Sequence, residues 1–254
     1  MQSRFLKQLI YGSLYLAILF GIGYLIYAAA LRPAPSCFDG KQNQGETGID
    51  CGGPCPDCGL QTLEPIRVSP VSIFDIGDRL SVLFELQNPN VRFGVNEFAY
   101  TIEFYGPGNM LISSLTRNSF IYPGEIKYIV EAGLDIDPGG IIRVEVKLAN
   151  FSWKSLEEFS SPRTQTRDLK TEFDLEGNRV VISGLIVNQN SFPLTRVVVN
   201  AIVVNSGGAR IGVSKTLVEN IAPFGEKPFN IVALGFNIGD VDTDATRIYL
   251  EARK

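Results

Sequence analysis

"RLSVLFELQNPN" at residues 79–90 and "RVVISGLIVNQN" at residues 179–190 share an arginine at the start and two asparagines at the end, each pair 100 residues apart. In the first stretch Leu80, Val82, Phe84 and Leu86 alternate with Ser81, Leu83, Glu85 and Gln87. A period of two sends one set to a core and the other toward solvent or a neighbour, which is the pattern of a β-strand. The match continues outward. "FDIGDRL" at 74–80 faces "FDLEGNRV" at 173–180, Ile102 meets Ile202, Gly108 meets Gly208, and Pro123 meets Pro223. A one-residue insertion then aligns "PGE" with "PFGE". Tyr100, Ile102 and Phe104 form an expected inner face, matched by Asn200, Ile202 and Val204, and the turn clusters "YGPGN" and "NSGGA" close those strands.

Further along, "IRVEVKL" at 142–148 puts Arg143, Glu145 and Lys147 on one outer side. Roughly seven short strands in about 90 residues, separated by turn signals, predict a two-layer antiparallel sandwich in each copy. The expected fold class is therefore all-β, with tandem sandwiches over 61–150 and 169–254 and a polar linker over 151–168. Trp153, the single tryptophan, either anchors a partner or packs a domain edge against that linker. The equivalent turns Asn88 to Asn96 and Asn188 to Leu194 are candidate contact loops, through Asn88, Pro89, Asn90, Asn188 and Asn190. The competing reading for them is ordinary turn chemistry.

Upstream, residues 9–31 carry no charge, and a helix of that length spans the roughly 30 Å hydrocarbon core of a bilayer. Arg4 and Lys7 precede the run and Arg32 follows it, with Tyr11, Tyr24 and Tyr27 near its ends. That bias predicts a single-pass plasma-membrane anchor, with residues 1–8 as a cytoplasmic tail and the C-terminal domains extracytoplasmic. The rival reading is a cleaved signal peptide ending at the "AAA" of residues 28–30, although the apolar run exceeds the usual 7–15 residues of such a leader. Ser13, Ala17 and Gly21 recur every four residues, a seam that would let two such helices approach closely.

All four cysteines, Cys37, Cys51, Cys55 and Cys58, lie in "CFDGKQNQGETGIDCGGPCPDC" at 37–58, within an expected stalk module at 32–60. An even count in an oxidising compartment predicts disulfides, and closing loops of this kind contributes about 2–4 kcal/mol. Two rivals use the same thiols. A zinc ribbon lacks its second C-x-x-C at the required distance, and a redox C-x-x-C lacks a surrounding βαβ unit. Asp39, Asn43, Glu46 and Asp50 add oxygen atoms that would suit calcium, or else cap turns. No other cofactor is expected.

Composition narrows the function classes. The chain has no histidine, which removes the common nucleophile–base arrangements and histidine metal ligands. A formal charge of −4 argues against nucleic acid as a partner. No carboxylate pair is recognisable; Glu157 and Glu158 are adjacent in the linker.

Three resemblances bear on these readings. The string at Cys37, Asp39, Gly40, Asn43, Glu46, Thr47, Asp50, Cys51, Gly52, Gly53, Cys55 and Cys58 resembles a cysteine-rich module of secreted and surface proteins, many of them bacterial, and implies export rather than an activity. "LSVLFELQNPN", "YTIEFYGPGNML" and "YPGE" resemble the late-embryogenesis-abundant, water-stress type of β-sandwich. "ISGLIVNQNSFPLTRVVVNAIVVNSGG" with "IAPFGEKPFNI" is similar to the FxLYD type of bacterial domain, departing from it where Val203, Val204 and Asn205 replace the name-giving residues. Both sandwich resemblances imply an immunoglobulin-like fold, and neither implies a catalytic residue. The expected function is non-enzymatic: an anchored binding, adhesion or envelope scaffold module whose partner is another envelope or surface protein or a glycan. The alternatives are a subunit of an envelope assembly or export complex and, from a different class, a carboxylate-based envelope hydrolase.

Overall fold

The computed structural model describes residues 2–28, 36–159, 161–176 and 178–253. The chain divides into two compact units, residues 1–62 and 63–254. Helix α1, Gln2–Ile26, belongs to the first. Its stretch Leu6–Ile26 is 21 residues long, with exposed apolar side chains, and is long and apolar enough to cross a membrane. Ser13, Ala17 and Gly21 share one face of it by their spacing, and Ser13 returns its hydroxyl to the Ile10 carbonyl at 3.0 Å. The end of the expected span at 29–31 lies outside the described residues, as do Arg32 and two of the three alanines at 28–30.

The second unit is all antiparallel sheet. In its first lobe β1 (Arg67–Val68) and β2 (Ser72–Ile76) pair with one edge of β3 (Arg79–Gln87), and β6 (Ile126–Leu134) pairs with the other. The facing sheet has β4 (Phe93–Tyr105) between β5 (Leu111–Ile121) and β7 (Arg143–Ser155). The second lobe repeats this order. There β9 (Arg179–Asn188) lies between β8 (Thr164–Asp174) and β12 (Glu226–Ala233), and β10 (Leu194–Asn205) lies between β11 (Arg210–Ile221) and β13 (Val241–Arg253). Each lobe closes its two sheets over its own apolar core. Leu80, Val82, Phe84 and Leu86 meet Val95, Phe98, Tyr100 and Ile102 in the first, as the alternation at 79–90 requires.

Two details of the internal alignment change. The core residues Leu194, Val197, Val199 and Ala201 occupy the places of Val95, Phe98, Tyr100 and Ile102, an offset of 99 rather than 100. The loop after the second Asn-x-Asn is one residue shorter, and in a strand one residue exchanges the two faces. Asn200, Ile202 and Val204 therefore point away from the core that the sequence assigns them. The "PGE"/"PFGE" insertion also disappears. Glu125 N–H donates to the Tyr122 carbonyl and Gly225 N–H to that of Ala222, so Phe224 stands where the first lobe has Gly124. Both residues take a left-handed φ, +67° at Gly124 and +53° at Phe224, a conformation natural to the former and strained for the latter.

The expected linker 151–168 is mostly strand: β7 continues to Ser155 and β8 starts at Thr164. A 3-10 turn at Leu156–Glu158 follows, closed by a reciprocal Ser155–Glu158 cap. Trp153 lies opposite Val95, partly buried against the first core, with its ring stacked on Phe151.

The lobes pack by their outer faces. Phe74, Leu83 and Val130 of the β2–β3–β6 sheet meet Ile202 and Val213 of the β10–β11 face, with Tyr128 against Tyr249 at 4.0 Å between ring centroids. Leu83, which alternation turns away from its own core, is thereby fully buried.

Candidate functional site

Cys37 bonds Cys55 and Cys51 bonds Cys58, leaving no free thiol among the cysteines. The two glycines of the "DCGG" segment are dictated by crowding within the loop. Gly52 and Gly53 have φ of +75° and +61°, and a Cβ on them would lie 1.9 Å from Thr47 Oγ1 and 2.3 Å from the Gly45 carbonyl oxygen. The acidic residues act as caps. Asp50 accepts the backbone N–H groups of Asp39 and Gly40, Asp39 accepts that of Lys41 and the Asn43 amide, and Glu46 accepts the Asn43 N–H. The Asn43 amide holds the Asp39 carboxyl below its ordinary range.

Asp39, Asn43, Glu46 and Asp50, the residues expected to offer oxygen to calcium, thus serve the turns of this loop. Among the described residues the carboxylates of Asp39, Glu46 and Asp50 do not all lie within 4.8 Å of one another, and the Asn43 Oδ1 is buried without a hydrogen-bond partner. Cys37, Glu46 and Cys55 do bring potential ligand atoms within 4.8 Å of one another. Two of those atoms form a disulfide, which is not a thiolate ligand.

The four asparagines among the positions expected as contact loops have internal work. Asn88 is 1% exposed; its amide donates to the carbonyls of Phe93 and Tyr122, and its oxygen accepts from Asn90. Asn90 in turn clasps both backbone groups of Glu64. In the second lobe Asn188, wholly buried, donates to Phe192, Ile221 and Ala222, while Asn190 clasps both backbone groups of Arg163. Gln189 adds an N–H to the Arg163 carbonyl that Pro89 cannot supply at its own position. Asn88, Asn188 and Asn190 are buried, whereas Pro89 and Asn90 are half-buried. The asparagines tie the incoming chain to the end of each hairpin.

The chemically richest place is a cleft of about 380 Å³ at the seam of the lobes, where β5 and β6 part at the side of the first sandwich and β10, β11 and β13 close over the gap. Strand β6 supplies charge on its inward parity: Lys127 pairs with Leu86 in register and Glu131 with Val82. Both are held by the other lobe. Lys127, 3% exposed, reaches Glu251 at 2.9 Å, the Phe120 carbonyl at 2.8 Å, and the face of the Phe120 ring. Glu131 accepts the Tyr100 hydroxyl at 2.5 Å and pairs with Lys215 at 2.9 Å. A third ion pair, Arg210 with Glu85, crosses the same seam. Burial, then the Glu131 charge, raises the Tyr100 phenol far above its ordinary value; burial raises the Glu125 carboxyl and lowers the Lys127 ammonium against the pull of Glu251. The sequence signal for this site was available in "IKYIVEAGL": charged residues on the parity of a core face.

No family model matches the chain, and no curated protein is significantly similar to it. Among solved structures, the crystal structure of red sea bream transglutaminase aligns with 75% of this chain and 31% of its own length, at 13% identity and a TM-score of 0.27. A likeness that distant leaves the function to be read from the chain's own geometry.

Proposed function

We propose that the protein is a non-enzymatic, single-pass membrane protein whose extracytoplasmic part is a tandem pair of immunoglobulin-like sandwiches, serving as a binding or scaffold module of the cell envelope. One observation carries this reading: a helix of membrane-spanning length precedes a segment whose four cysteines are all consumed in disulfides. Such bonds persist in oxidising compartments, and the basic residues Arg4 and Lys7 before the span favour an N-terminus inside. The shared strand order supports an internal duplication, and the interlobe ion pairs and apolar seam support a two-lobe body that holds its loops in fixed relation.

Topology is tested with Ser206→Cys, at an exposed turn of the second lobe. On intact cells a membrane-impermeant maleimide is expected to label this variant to the level reached after lysis. Protection until lysis would overturn the proposed orientation.

A further inference from the structure

Asn200 interrupts the valine-rich run of β10 and is 3% exposed, yet its side-chain amide has no hydrogen-bond partner among the described residues. It lines the cleft between the lobes. The atoms of this amide are not sealed in, so the open space beside them is where a partner fits. The charges of the same wall do not cancel. Glu131 is taken by Lys215 and Glu251 by Lys127. What remains is Glu97, already bonded by Asn118, against the guanidinium groups of Arg117, Arg196 and Arg253, none of which has a carboxylate partner among the described residues. Three forked donors facing a concave space suit a carboxylate or phosphate, because the planar fork matches two oxygens at once. About 380 Å³ is at the lower end of ligand-pocket volumes and fits a body of monosaccharide size, with the Asn200 amide and the Asn118 and Ser119 side chains offering bonds to its hydroxyls.

We propose that this interlobe cleft binds an anionic monosaccharide unit, its acid group on Arg117 and Arg196 and a hydroxyl on Asn200. The inference deepens the binding role proposed above, and it names the ligand class for that role. It also joins the lobes to one purpose, since the anion sites come from β5 of one lobe and β10 of the other.

The test is calorimetric titration of the full-length protein in detergent with three probes: glucuronate, glucose 6-phosphate and neutral glucose. Either acidic sugar is expected to bind with a dissociation constant of about 0.1–1 mM, weakening as salt is raised, and glucose to bind at least tenfold more weakly. Binding of only one acidic probe supports the site and tells carboxylate from phosphate. Arg196→Ala, an exposed change that leaves packing intact, is expected to weaken binding about tenfold, Asn200→Asp to abolish it, and Lys170→Ala, on β8, to leave it unchanged. Absence of binding by both acidic probes up to about 10 mM, equal binding of glucose, or unchanged affinity in Arg196→Ala would overturn the proposal. Because the titration uses purified protein, its failure is separate from a failure of the labelling experiment on cells.

Discussion

The two lobes share a strand order and differ most at the outer face of the sheet built around their second strand. In the first lobe that face presents Phe74, Leu83, Tyr128 and Val130. The residues in the same register positions of the second lobe are Glu172, Ser183, Pro228 and Asn230. The first set is covered by β10 and β11; the second is exposed or half-exposed. On the other sheet the contrast reverses: β10 and β11 of the second lobe present Ile202 and Val213, whereas the corresponding face of the first lobe is polar, with Glu103 paired to Lys147 and Thr101 bonded to Thr116. A sandwich needs only one face of each sheet for its own core. What is written on the other face decides whether it takes a neighbour, and here one apolar face is matched by one other.

What the lobes have in common is tested by the change with the largest expected effect. Asn88→Ala and Asn188→Ala each strip buried carbonyls of their donors at about 1–3 kcal/mol apiece, so each is expected to destabilise the second unit by roughly 3–5 kcal/mol in urea unfolding. Equal losses would match the equivalence of the two clasps, and a negligible loss at either would break it. What distinguishes the lobes is tested by exchanging residues. Leu83→Ser gives the first lobe the second lobe's residue and empties a fully buried position, at an expected cost of about 3 kcal/mol. The reverse change, Ser183→Leu, is expected to shift stability by under about 0.5 kcal/mol while raising self-association in analytical ultracentrifugation. If both changes cost the same, the outer faces are not what separates the lobes. The smallest effect sits at the aligned turns: Phe224→Gly relieves a left-handed backbone at an exposed side chain and is expected to raise stability by about 1 kcal/mol, seen as a higher melting temperature. No gain there would remove the strain argument.

Legibility in the sequence followed the range of the interaction. The alternation at Leu80–Leu86, the membrane-length apolar run and the even cysteine count are local patterns, and the sheet, the helix and the disulfides all formed where those patterns stand. Asn88 and Asn188 were visible as a repeated feature, but not their direction, because an asparagine in a turn reads the same whether its amide faces solvent or the carbonyls of a neighbouring strand. Asn200 was placed on the wrong face for a similar reason: the loop before β10 is one residue shorter, and parity in a strand has no memory of its counterpart 100 residues earlier.

The sequence by itself determined the element types and the chemistry available for cross-linking, since backbone periodicity and residue size act over neighbours in the chain. Only the tertiary structure decided which cysteine bonds which, which lobe face is covered, and that Lys127 pairs with Glu251 and Glu131 with Lys215 across the seam of the lobes. Those outcomes depend on groups distant in the chain, such as Lys127 and Glu251, arriving at the same place, and the energy that selects them, burial of apolar faces and pairing of charges withdrawn from water, exists only once both sides are present.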